Sequence, residues 1–214
     1  MESVWWVFKE LWDKNLIYLG TRVVPFSTAL GTVLSNFEAS SNYQDVQDPA
    51  ITVLFKLKDE DAFIAAWTTT PWTLPSNLAL CTGADIDYVL VRDEEKNISF
   101  YIAKARLETY SKKKTLNILK ECKGRDLKGK KYIPLFSFFA VEEKKGAFVI
   151  LNDNYVTTDN GTGVVHLAPA FGEDDNRVMK EAGLPSIVCP VDDAGKFTNE
   201  VTTYASIYVK DADK

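Results

Sequence analysis

Ile51-Thr52-Val53-Leu54-Phe55-Lys56-Leu57, followed after an acidic break by Phe63-Ile64-Ala65-Ala66-Trp67-Thr68-Thr69, is the stretch on which the fold class turns. Both runs are rich in β-branched and aromatic residues and both are short, as strands are. Similar runs follow at Leu78–Leu80, Tyr88–Val91, Ile98–Ala103, Ala147–Leu151, Val164–Leu167 and Ile187–Val191, most of them bounded by Gly, Pro, Asp or Asn. Asp93–Asn97 lies between two runs as a hairpin loop. Helical periodicity is scarcer: Lys104–Tyr110, Leu116–Cys122 and Asp174–Ala182. Strands outnumber helices without alternating with them, which predicts an α+β, mainly β barrel-like domain with peripheral helices rather than a doubly wound sheet.

Outward from this block, the first residues read as an amphipathic helix. Val4, Val7, Phe8, Leu11 and Trp12 share a stripe, Ser3 is the expected N-cap and Gly20 lies just beyond. Trp5 is off the stripe, so the helix has two apolar sides to cover. Residues 20–48 carry Pro25, Gly31 and a Ser40-Ser41-Asn42 stretch and read as a connector. The expected organisation is a leading helix and connector over 1–48, a main domain over 49–200 and a returning segment over 201–214.

Composition narrows the chemistry. Of 214 residues, 46% are hydrophobic, enough for a substantial core, and 25 basic against 30 acidic residues leave a net charge of −5. A nucleic acid would therefore have to be met by a local patch. Lys112–Lys131 supplies one, with nine Lys or Arg against Glu121 and Asp126, and a solvated face is the equally simple alternative. Cys81, Cys122 and Cys189 form no C-x-x-C pair, which excludes a zinc ribbon and suits a reducing, cytoplasmic setting. The longest mostly apolar stretch, Ile133–Val141, contains Pro134 and Ser137 and is too short for a bilayer, so no membrane is expected. A single histidine, His166, excludes mechanisms that need two imidazoles, and neither a G-x-S-x-G elbow nor a phosphate loop is present.

Two segments carry candidate chemistry. Trp67-Thr68-Thr69-Thr70-Pro71-Trp72-Thr73-Leu74-Pro75-Ser76-Asn77 puts four threonines in six positions. Strand alternation sends Thr68 and Thr70 to one side and Thr69 to the other, and the prolines then fix a turn lined with hydroxyls. A threonine-rich strand end before a proline turn accounts for the same residues without any ligand. The second segment, Asp159-Asn160-Gly161-Thr162-Gly163-Val164-Val165-His166-Leu167-Ala168-Pro169-Ala170-Phe171-Gly172-Glu173-Asp174-Asp175, opens on an Asn-Gly turn signal. It places His166 on a strand face with Val164 and Ala168, then sets three acids before a helix. Acids in a first helical turn stabilise the dipole by about 0.3–1 kcal/mol, a sufficient reason for Glu173 and Asp174. Spacing alone leaves the function open.

Trp67–Leu80 and Gly161–Asp175 together resemble the two hallmark segments of the editing (CP1) domain of isoleucyl-tRNA synthetases. Val4–Leu19 and Pro25–Glu38 resemble the sequence leading into that insertion, Gly124–Phe136 an inner motif, and Tyr208–Lys214 the return strand. The T-T-R-P pattern of the leucine- and valine-specific relatives is replaced by Pro71-Trp72-Thr73-Leu74-Pro75, the isoleucine type, and Leu127–Tyr132 with the opening helix is more similar to the eukaryotic branch. The resemblance implies a deacylase that hydrolyses Val-tRNA(Ile), and valyl-adenylate as well, while excluding isoleucine. It implies Asp175 as the partner of the substrate ammonium, His166 as the pocket wall, and Thr68, Thr69, Thr70 and Thr73 as ligands of the ester, ribose or water. Trp67, Asn77, Gly163, Val165 and Ala168 are implied as substrate-binding supports. No cofactor and no metal are expected; the partners are the charged tRNA and the catalytic body of the parent enzyme, and the isolated domain is expected to be a monomer. The His-x-Gly-His and Lys-Met-Ser-Lys-Ser segments of amino-acid activation are absent. The alternatives are a module that binds aminoacyl ligands without turnover, a freestanding editing factor, or the editing domain of a valine-specific enzyme.

Overall fold

The computed structural model describes residues 1–111, 115–184 and 187–213. Lys112–Lys114 of the basic run and Lys214 of the returning segment therefore lie outside the described residues. Helix α1 (Glu2–Asp13) forms where periodicity predicts it, but it starts one residue before Ser3, with Met1 at the cap position and no side-chain cap. None of its residues is buried, and Val4, Trp5, Trp6 and Trp12 are all more than half exposed. The connector holds a two-residue ladder of β1 (Phe26–Ser27) with β2 (Thr32–Val33), and the short helix α2 (Asn36–Ala39), which Ser35 and Glu38 close in a reciprocal capping box.

The main body contains two sheets. In the larger, the strand order is β3 (Ile51–Lys56), β4 (Phe63–Thr68), β7 (Ile98–Ala103), β6 (Asp87–Asp93) and β8 (Leu116–Lys123). The β4–β7 contact is parallel and the others antiparallel. β6 and β7 are joined by residues 94–97, with Asn97 at φ 54° completing the reversal. The smaller sheet has the order β10 (Val164–Leu167), β5 (Ala79–Thr82), β9 (Val149–Asn152). The two sheets with short peripheral helices make the expected α+β class, and among the described residues the sheets do not form a closed barrel. A large core runs between the sheets through Phe55, Ile64, Leu80, Tyr88, Tyr101, Tyr132, Ile150 and Leu167. A smaller cluster (Ala65, Val89, Val91, Phe100, Ile102) covers the other face of the larger sheet beneath α3 (Leu107–Ser111). Both faces of β4 are thus packed, which holds the backbone leading into Thr68 stiff.

Three expectations are corrected. Leu116–Cys122 is strand β8, not a helix. Its apolar residues at 116, 119 and 122 imitate a helical stripe because the ladder skips a residue: Val91 faces Ile118 and Leu90 faces Lys120, leaving Leu119 unopposed in a bulge. Ile187–Val191 forms no strand; only Val191 bridges, to Phe197, and Pro190 cannot donate to a ladder. Tyr208–Lys214, expected as a return strand, contains instead the one-turn helix α5 (Val209–Ala212) after a single bridge from Tyr208 to Lys196. Helix α4 (Glu173–Glu181) is displaced one residue from its expected span, with Gly172 as N-cap.

Candidate active site

Strand β4 ends at Thr68, and the chain then enters a 3-10 turn over Pro71–Ser76, with proline at the first helical position, where a missing N–H costs nothing. The hydroxyls predicted to line this turn form a chain. Thr68 Oγ1 accepts from the Thr70 N–H at 3.0 Å and lies 3.3 Å from Thr70 Oγ1. Thr70 Oγ1 is 3.4 Å from Thr73 Oγ1, and the Thr73 hydroxyl donates to the Thr70 carbonyl at 2.8 Å. Thr69, one residue past the end of β4, is exposed.

Strand β10 pairs with β5 so that His166 faces Leu80, which carries the ring to the threonine turn. His166 Nε2 lies 3.1 Å from Thr73 Oγ1. Since the Thr73 hydrogen is committed to the Thr70 carbonyl, the network assigns the ring hydrogen to Nε2 and leaves Nδ1 as a buried lone pair with no partner among the described residues. Burial pushes the imidazole down to about 4, so the ring is neutral at physiological pH. In this tautomer it cannot take the Thr73 proton, so the pair is not an activated nucleophile.

Asp175 sits in the first turn of α4, and its Oδ2 accepts the Ala168 N–H at 2.8 Å. Burial raises its carboxyl above the ordinary range, against the Ala168 hydrogen bond that lowers it. The carboxylate folds back over Gly172, where an added Cβ would lie 2.7 Å from Asp175 Cγ; only a residue without a side chain fits there. Glu173 and Asp174 face outward, toward Arg22 at 3.9 Å and Arg177 at 3.2 Å, as dipole acids do.

These two segments, with Thr73 and His166 93 positions apart in sequence, enclose one cavity of about 340 Å³. Its lining includes Trp67, Thr68, Thr69, Thr70, Thr73, Val165, His166, Ala168 and Asp175. Two predicted residues lie outside it. Asn77 is buried, donating to the Ala79 carbonyl and accepting from Tyr132 Oη, a position that secures the turn to the core. Gly163 packs on Ala103, and its carbonyl accepts from Tyr88 Oη, joining the two sheets. Sequence reasoning also passed over two lining residues, Phe171 and Gly172. Phe171 meets the Trp72 ring edge-on with centroids 4.8 Å apart. Asp213, in the returning segment, accepts the Trp72 N–H at 2.7 Å and so holds the threonine turn from 141 residues away. No local signal announces such a contact. Among the described residues no group of three His, Cys, Asp or Glu side chains is placed to hold a metal ion, and no helix is long and apolar enough to cross a membrane.

The family model for class I tRNA synthetases (I, L, M and V) matches residues 1–208. Among curated relatives, the mouse cytoplasmic isoleucine–tRNA ligase is 54% identical over 220 residues, taking in 100% of this chain and 17% of the relative. The Bdellovibrio bacteriovorus isoleucine–tRNA ligase is 54% identical over 217 residues, 100% of this chain and 20% of the relative. The chain thus spans about a fifth of the length of these relatives. Among solved structures, that of GlLeuRS-CP1 superposes with a TM-score of 0.54 at 15% identity, over 67% of this chain and 71% of that one. The editing domain of Plasmodium knowlesi (P. knowlesi) cytosolic leucyl-tRNA synthetase gives 0.50 at 12% identity, over 64% and 65%. The fold is that of these domains.

Proposed function

The chain belongs to the class I tRNA synthetases of the isoleucine, leucine, methionine and valine group, and from that premise we propose that it is the editing domain of a cytoplasmic isoleucine–tRNA ligase, hydrolysing valine esterified to tRNA(Ile) and valyl-adenylate while sparing isoleucine. The observation that carries this reading is the cavity itself, which joins a hydroxyl chain, one neutral imidazole and one part-buried carboxylate. Residues 1–48 and 201–214 then serve as the segments that lead from and to the catalytic body, and the exposed apolar side of α1 packs on that body.

Valine and isoleucine differ by one methylene, which an apolar pocket distinguishes by only about 1–3 kcal/mol; that figure is established for isoleucine-charging synthetases themselves and is not obtained from the present geometry. A second site that accepts the smaller side chain and destroys its ester meets the need. Asp175 provides the one anionic group in the lining and grips the α-ammonium, a charged hydrogen bond contributing about 1.5–3 kcal/mol. An ammonium there favours the ionised carboxylate, offsetting the burial that raises it. The neutral His166 ring, rigidly packed, limits the depth available to the side chain. The threonine hydroxyls, each donor and acceptor, align the ester, the ribose and the attacking water. An aminoacyl ester is already activated, so orientation and oxyanion stabilisation suffice and no covalent intermediate is required.

The test is ester hydrolysis of valyl- and isoleucyl-tRNA(Ile) by a full-length ligase carrying this segment. Asp175→Asn is expected to lose valyl-ester hydrolysis by tenfold or more, on the order set by a charged hydrogen bond. His166→Ala is expected to begin cleaving the isoleucyl ester. Wild-type valyl-ester hydrolysis in Asp175→Asn refutes the reading.

A further inference from the structure

We propose that Asn160 is a site of spontaneous covalent modification, in which its side chain cyclises onto the Gly161 nitrogen and water reopens the ring as isoaspartate, displacing Trp67 at the edge of the threonine cavity. The consequence for catalysis rests on the reading of that cavity as an ester site; the chemistry at Asn160 does not. Asn160-Gly161 is the only Asn-Gly pair in the chain, and it takes no part in the site described above. Asn160 is exposed, and its side chain makes no hydrogen bond among the described residues. The Gly161 N–H donates to none of them either. Gly161 sits at φ +65° and has no side chain to shield that nitrogen.

Neither oxidation nor reduction is involved. The Gly161 nitrogen gives up its proton and attacks Asn160 Cγ. The N–Cγ bond forms, the Cγ–Nδ2 bond breaks, and Nδ2 takes up a proton and leaves as ammonia. Water then adds to the cyclic imide. Cleavage of the new N–Cγ bond yields aspartate. Cleavage of the original bond from the Asn160 main-chain carbonyl carbon to the Gly161 nitrogen yields isoaspartate, whose backbone runs through Cβ and Cγ. The net change is a water consumed and an ammonia released. A Cβ on the following residue hinders the attacking nitrogen, and glycine removes that obstacle.

The isoaspartyl product puts an extra backbone atom into a turn with no slack. Arg106 Nε–H donates to the Gly161 carbonyl at 3.0 Å and its Nη1 to the Asp159 carbonyl at 3.1 Å. The carbonyls on either side of Asn160 are thus held by a single rigid guanidinium. Directly downstream, the Thr162 carbonyl accepts the Ala103 N–H at 2.9 Å. On the inner side, a Cβ at Gly161 would lie 2.9 Å from Trp67 Cε3, so the turn already rests on the indole. The added atom therefore breaks the Arg106 contacts and drives the turn against Trp67, which lines the threonine cavity and directly precedes Thr68. The new charge matters less, because an exposed carboxylate acts weakly through water.

Timed incubation of the 214-residue chain at neutral pH, followed by peptide mapping with mass spectrometry, reads the conversion. Asn160 is expected to convert about tenfold faster than any other asparagine, a barrier lower by about 1.4 kcal/mol, and to yield isoaspartate. In a full-length ligase carrying this segment, valyl-ester hydrolysis is expected to fall in proportion to the isoaspartate formed at this position. Asn160→Gln, whose longer side chain closes the ring far more slowly, is expected to keep that activity when aged alongside. Unaged Asn160→Asp, which carries the charge without the extra backbone atom, is expected to match the unaged wild type. An Asn160 that persists as long as the other asparagines, or that yields aspartate alone, overturns the modification site. Equal losses in aged wild type and aged Asn160→Gln overturn the effect on Trp67. Absence of valyl-ester hydrolysis in the unaged ligase instead overturns the ester-site reading, and the mapping still decides the chemistry at Asn160.

Discussion

His166 is the only histidine in the chain and is 7% exposed, so its share of the acid titration of stability can be isolated by a single substitution. Burial lowers the ring to about 4 in the folded state, against 6.5 as its ordinary value. The unfolded chain therefore takes up this proton first, and stability falls as pH drops below 6.5 and levels off below 4. At about 1.4 kcal/mol per pH unit the full span is worth about 3 kcal/mol, of which about 2 is lost between pH 7 and pH 5. Asp175 and Asp213, both raised by burial, act in the opposite direction, because the folded state binds their protons more readily. Comparison with His166→Gln cancels such shared contributions. Urea unfolding at pH 7, 6 and 5 should show the wild type losing about 2 kcal/mol more than His166→Gln over that interval. Parallel losses in the two proteins refute the buried neutral ring, and with it the assignment of Nδ1 as a bare lone pair.

Other perturbations read out different parts of the site. Gly172→Ala forces a Cβ against the Asp175 carboxylate and should reduce valyl-ester kcat/KM by about tenfold with little change in melting temperature, measured by deacylation and calorimetry. Asp213→Ala strips the Trp72 N–H of its acceptor and should cost about 1–3 kcal/mol in denaturant unfolding, while kcat falls more than KM rises as the threonine turn loosens. Reversing two or three charges within Lys120–Lys131 should flatten the salt dependence of tRNA binding; an unchanged slope assigns that run to a solvated face. Between pH 6 and 8 the deacylation rate should show no imidazole inflection.

The sequence was most legible where one interaction range dominates. Thr68, Thr70 and Thr73 converge because a strand alternates and Pro71 and Pro75 fix the next turn; both signals are local. The α+β class followed from counting runs, whereas closure did not, since it depends on how two sheets meet. Strand β8 was misread because a bulge at Leu119 mimics helical spacing, and a bulge is set by the partner strand, not by the segment itself. The roles proposed for Asp175 and His166 came from resemblance. Their positions in one cavity depend on the β10–β5 register and on the Ala168 hydrogen bond, and neither is encoded in a short window. Asn77 and Gly163 were sequence neighbours of the lining whose polar groups are consumed by the core. Phe171, Gly172 and Asp213 carried no signal at all.

Asp48 and Lys210 meet at 2.7 Å, although 162 positions separate them along the chain. The exposed pair contributes little energy, but its geometry makes the intervening body a loop pinched at a narrow neck. On the reading proposed above, such a neck lets the domain join its parent enzyme through two adjoining segments of chain. Because Asp213, three residues beyond Lys210, accepts the Trp72 N–H, a shift of the returning segment would bear directly on the threonine turn.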